Sequence, residues 1–180
     1  MMLKYPILIM IFLMAIEGSN ATNHSIPVGI HDVSFNASLP IIDEITSSPV
    51  LPGNYGLNYT KTSTTLWHDR PIITVIVRDF ENPMPDYALF LEEETLEELM
   101  DYVPLGNRSS IHYIGNPIAA GGYISGIVRN HKGEYFGALM AWPSDRVEII
   151  ITGSLPSKEI WIDISQSIEL LDKDAKAIDS

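Results

Sequence analysis

The chain opens on one unbroken apolar run and then turns to short pieces in which apolar and polar positions alternate. Met1 to Lys4 make a short, weakly basic start, residues 5–16 are apolar, and Glu17, Gly18, Ser19, Asn20 and Ala21 are polar or small. A positive end, an apolar stretch and small residues, in that order, are what an export signal requires, and Ser19-x-Ala21 fits the small-x-small cleavage rule. The run of 12 residues falls short of the ~20 needed to span a bilayer. Residues 1–21 therefore read as a signal peptide, with an uncleaved anchor as the alternative, and the mature chain starts near Thr22.

Residues 22–55 carry Pro27, Pro40, Pro49 and Pro52, the Ser47-Ser48 pair and little helical periodicity. Such composition buries too little area to offset backbone ordering, so the segment reads as a tether. Two apolar pieces, around Val28 and Ile30 and around Leu39 to Ile42, could add an edge strand. From residue 56 to 171 the pattern becomes globular. Ile73, Val75 and Val77 on one face, with Ile72 and Ile76 on the other, predict a strand buried on both sides. Thr95-x-x-Glu98 is a capping box for a helix whose apolar face is Leu96, Leu99, Met100 and Val103, stopped by Pro104 and Gly106. Strands follow at 111–114, 123–128, 134–142 and 147–152, the middle pair joined at Asn130 to Gly133. Leu155, Pro156 and Ser157 lead into a last helix with Ile160, Trp161, Ile164 and Ile168 as its stripe. Residues 172–180 form a charged tail. The order strand, helix, meander of three or four strands and C-terminal helix predicts an α+β fold, an antiparallel sheet with helices packed on it.

These elements resemble the PsbP-like group of exported α/β/α domains. The residues that carry the likeness are the apolar strand from Ile72 to Val77, the Leu96-Glu97-Glu98-Leu99 helix, the small-residue segment from Ile114 to Gly122 and the closing Leu155-Pro-Ser-Lys-Glu159 helix with Gln166-Ser-Ile168. The resemblance spans residues 72–170 and implies an accessory or binding subunit rather than an enzyme.

Composition sharpens the setting. Five Asn-x-Ser/Thr sequons occur, at Asn20, Asn23, Asn36, Asn58 and Asn107, where composition alone gives about one. Asn20 leaves with the signal, so Asn23, Asn36, Asn58 and Asn107 are the candidate glycosylation sites. There is no cysteine, unlike most small secreted eukaryotic domains. Together with the acidic balance this looks like an archaeal cell-surface protein. The net charge of −12 argues against nucleic acid and anionic lipid, leaving membrane contact only to the N-terminal segment if it stays uncleaved.

Candidate chemistry is sparse. His24, His31, His68, His112 and His131 show no helical metal-ligand spacing, and no metal or cofactor is assigned. Ser125 lies in Gly122-Tyr-Ile-Ser-Gly126, which is not the Gly-x-Ser-x-Gly elbow. A set built from Ser125, His112 and Asp145 stays weaker than a structural serine, and no catalytic residue is assigned. Gly121-Gly122 reads as a bend, and Glu92 to Glu94, Glu97, Glu98 and Asp101 as a solvated helix start. The candidate binding residues are Trp67, His68, Asp69 and Arg70, a polar corner beside an aromatic. The function expected is an exported, non-enzymatic accessory or binding domain at the cell surface, partnered by an envelope protein or a glycan. A small-ligand or cell-wall glycan binder is the alternative, and an envelope hydrolase the least favoured.

Overall fold

A computed structural model describes residues 21–54, 56–84, 99–103, 111–117 and 123–172. The strands are β1 (Thr22–Val28), β2 (His31–Ala37), β3 (Glu44–Ser47), β4 (Leu51–Asn54), β5 (Asn58–His68), β6 (Arg70–Phe80), β7 (Ile111–Pro117), β8 (Tyr123–His131), β9 (Glu134–Trp142), β10 (Val147–Leu155) and β11 (Glu169–Asp172). One ten-residue helix, Lys158–Ser167, precedes β11. A helical turn occupies residues 99–102.

Two antiparallel sheets result. The smaller has the order β1-β2-β11; the larger runs β3-β5-β6-β10-β9-β8-β7, with β4 pairing β5 beside β3. The α+β expectation is thereby corrected to a mainly-β fold. The reason lies in residues 22–54, which are four strands and not a tether. Ile26 and Val28 alternate with exposed residues on β1, Val33, Phe35 and Ala37 take every second position on β2, and all five are buried. Each of the four larger side chains taken from water contributes about 1.5–3 kcal/mol, a gain set against the ordering cost assumed to keep this segment loose. Its prolines do no harm, because Pro27 and Pro52 sit on the outer strands β1 and β4, where a missing N–H breaks no ladder.

The large sheet buries apolar side chains on both faces. On one, Ile73, Val75, Val77, Ile149, Ile151, Leu139 and Ala141 pack with the small sheet and with Trp161, Ile164 and Ile168. The small sheet lies over β5 and β6, and the helix reaches β7 to β10. Trp161 lies flat on Gly137, where a Cβ would enter the indole, and its Nε1 donates to the Tyr135 carbonyl at 2.9 Å. On the other face Ile76, Phe80, Ile127, Met140, Trp142 and Ile150 meet Leu99 of the helical turn and Val103 just after it. The expected cap at Thr95 and Glu98, most of the acidic cluster, Gly121-Gly122, Asn107 and the 173–180 tail lie outside the described residues.

A bulge breaks the β5–β6 register between Leu66 and Trp67. Leu66 pairs Ile73 and Trp67 pairs Pro71, so Ile72 has no opposite number on β5. Ile72 thereby joins the face of Ile73 instead of that of Ile76, where strict alternation placed it. Across the sheet Gly153 accommodates the bulge, since a Cβ there would run into the Ile72 carbonyl.

Candidate functional site

The candidate residues Trp67, His68, Asp69 and Arg70 form the β5–β6 turn, with Asp69 at its apex in the left-handed region at φ 57°. The turn does not gather them into one cluster. His68 Nδ1 donates to Asp43 Oδ2 at 2.5 Å, while half-buried Trp67 donates from Nε1 to Thr46 Oγ1 at 2.8 Å. Arg70 crosses to β9, where Nη2 donates to Glu134 Oε1 at 2.6 Å; the other oxygen, Oε2, accepts from Ser154 Oγ at 3.0 Å.

Register supplies what the turn alone does not. Thr46 on β3 pairs Thr65 on β5, Thr65 pairs Thr74 on β6, and Thr74 pairs Thr152 on β10. Direct partners in antiparallel strands point to the same side, so four threonines stand in line on four adjacent strands. Thr65 Oγ1 and Thr74 Oγ1 are hydrogen-bonded at 3.0 Å. Thr46 is exposed and the other three are half-buried. Neighbouring strands lie about 4.8 Å apart, so the row extends roughly 14 Å. Trp67 and the Arg70–Glu134–Ser154 group flank one side of it. The row is uncharged, and the flanking pair is neutral as a unit, on a chain of net charge −12. No signal in the linear sequence marks these threonines, because their alignment requires the pairing of strands up to a hundred residues apart.

The Glu134 carboxyl is held below the usual carboxylate range, chiefly by the Arg70 hydrogen bond and then by Ser154, and the Arg70 guanidinium is raised by the same contact. A carboxyl depressed on folding contributes stability above the ordinary glutamate range, near ~4.3, and loses it as pH falls through its folded value. Titrating Glu134 by NMR should show this depressed midpoint, and Arg70→Met should return it toward the ordinary value. A midpoint that does not move in Arg70→Met would contradict the assignment.

Another polar group on this side of the sheet is enclosed. Arg78 and Glu148, direct partners on β6 and β10, join at 2.8 Å with side-chain exposures of 12% and 3%. Arg78 also donates to Tyr102 Oη at 3.4 Å and lies 5.4 Å from the Tyr59 ring centroid. That position fits an anchor for the helical turn, not an open site. A third polar contact, His31 Nε2 to Asp79 Oδ1 at 2.6 Å, ties β2 to β6.

The remaining candidates are dispersed. Ser125 is buried on β8 opposite Met140, Asp145 is in the β9–β10 turn, and the His112 side chain lies outside the described residues. Among the described residues no three His, Asp or Glu side chains are placed to hold a metal. Among them also, no helix is long and apolar enough to cross a membrane. Asn23, Asn36 and Asn58 are all exposed, on β1, β2 and β5.

Comparison with protein-family models, curated proteins and solved structures finds no match. None of these comparisons bears on the PsbP-like resemblance.

Proposed function

We propose that this chain is an exported, non-enzymatic accessory or binding domain of the cell surface, and that it holds a neutral saccharide chain against the threonine face of its large sheet. The observation that carries this reading is the row Thr46–Thr65–Thr74–Thr152, open to solvent and flanked by Trp67. Hydroxyls both donate and accept, which suits a ligand whose own groups are hydroxyls. An indole offers an apolar wall for the C–H face of a sugar ring. Arg70 and Glu134 add a donor and an acceptor at one end.

Thr74→Val keeps the side-chain shape and removes the central hydroxyl. Across a panel of neutral oligosaccharides, calorimetry should give saturable binding that falls about fivefold in this variant, from the loss of a hydrogen bond worth about 1 kcal/mol. Trp67→Ala should weaken binding further. An absence of binding across the panel, or affinities indifferent to both substitutions, would overturn the reading.

A further inference from the structure

The threonine row has an aromatic side chain near each end. Trp67 stands two residues beyond Thr65 on β5, and Ser154 two residues beyond Thr152 on β10. Both strands run antiparallel to β6, so these two steps point the same way. On β9, Ala138 pairs Thr152 and Phe136 pairs Ser154. Residues two apart on a strand share a face, and direct partners across a ladder do as well. Trp67 and Phe136 therefore lie on the threonine face, on one side of the row and at one offset from it, roughly 7 Å along the strands. The order β5-β6-β10-β9 puts three strand spacings between them, about 14 Å.

Both rings are half-buried and keep part of their surface in solvent. Phe136 packs against the apolar cluster that contains Leu99 and Met140. The stretch between the two rings stays low and polar. The bulge after Leu66 carries Ile72 to the opposite face, so β6 offers only exposed Pro71 across from Trp67. Ser154 follows on β10, donating to the Glu134 carboxylate that also accepts from Arg70. A guanidinium keeps donors to spare after one such contact, and carboxylate oxygens accept more than one hydrogen bond.

We propose that Phe136 is a second stacking contact of the saccharide site, and that the ligand is an extended linear chain laid across the strands, long enough to reach both rings. The proposal rests on the saccharide reading above. A single sugar ring cannot touch Trp67 and Phe136 together at that separation. A chain running along the threonine row meets both, with its hydroxyls toward the threonines and the C–H faces of two of its sugars against the aromatic rings. Ladder hydrogen bonds fix the spacing of the strands, so the distance between the indole and the phenyl ring is set by the sheet and not by a loop. The site acts as a ruler, in which chain length decides affinity.

The test is a length series of neutral glucose, mannose and galactose oligomers, from the monosaccharide to the hexasaccharide, titrated by calorimetry. Affinity is expected to climb with length and to level off once both rings are reached. Phe136→Leu keeps an apolar side chain on the core layer and removes the ring, so the preference for long over short chains should fall about fivefold. Phe136→Tyr restores a ring and should keep the preference. In the unaltered protein, NMR signals of the Trp67 indole N–H and the Phe136 ring should shift with a shared midpoint as the tightest-binding oligomer is added. No binding at any length defeats the saccharide reading, and this proposal with it. Three results defeat this proposal alone: affinity indifferent to length, a preference that Phe136→Leu keeps or Phe136→Tyr loses, or a silent Phe136 ring while the Trp67 signal moves.

Discussion

Replacing Glu148 by alanine is expected to destabilise the domain by about 3–5 kcal/mol, because it leaves the enclosed Arg78 guanidinium without its carboxylate. The two residues are register partners, joined at 2.8 Å, and Glu148 is almost wholly removed from solvent. At this chain length the loss corresponds to a fall in Tm on the order of 10 °C. The pair is not expected to be a large net source of stability, since desolvation offsets most of the attraction. The double variant Arg78→Met/Glu148→Leu should therefore recover much of what Glu148→Ala loses. Equilibrium unfolding of the three proteins separates the cases. A loss below 1 kcal/mol in Glu148→Ala would mean that water reaches the pair and that the helical turn at 99–102 is not held by it.

Ile164→Asp should be as severe for a different reason. Ile164 is fully buried in the layer shared by the helix, the small sheet and the large sheet, and a carboxylate there has lost its hydration without gaining a partner, at several kcal/mol. Burial raises the carboxyl pKa, so the folded form of the variant would prefer the protonated side chain. Its deficit should shrink as pH falls below the raised folded value and grow as pH rises toward neutrality. Gln166→Asp, two positions along on the exposed surface, serves as the control. Equal melting of the two variants at neutral pH would show that the helix does not face the sheet as described.

The globular half was legible because its patterns are local. The five apolar residues between 72 and 77 lie within β6, and the hairpin at Asn130 to Gly133 falls between β8 and β9, with Lys132 and Gly133 at positive φ. The helix stripe of Ile160, Trp161 and Ile164 is likewise buried where its spacing placed it. Residues 22–54 were misjudged because four prolines and many small polar residues outweighed a real alternation. Ile26, Val28, Val33, Phe35 and Ala37 mark a hairpin about Gly29, whose φ of 64° suits the turn. The fold class followed that error, since removing four strands from a mainly-β chain leaves its helices over-represented. Of the candidate site, Trp67 and Arg70 were visible as an aromatic beside a polar corner. Their surroundings were not, because Thr46, Thr65, Thr74 and Thr152 become neighbours only once β10 has returned beside β6.

The short strand β11 brings Glu169 and Leu170 back against Ser34 and Val33, so one small sheet is laced from both ends of the folded region. It works as a clasp. Until residues near 170 have emerged, β1 and β2 are a lone hairpin with the helix not yet in place, and the inter-sheet layer stays open. Chain closure of that span is slow compared with local pairing, so this domain should complete its packing only after the whole length has been delivered. A product cut short before Glu169 would carry nearly all the sequence and still present the unfinished layer that quality control recognises.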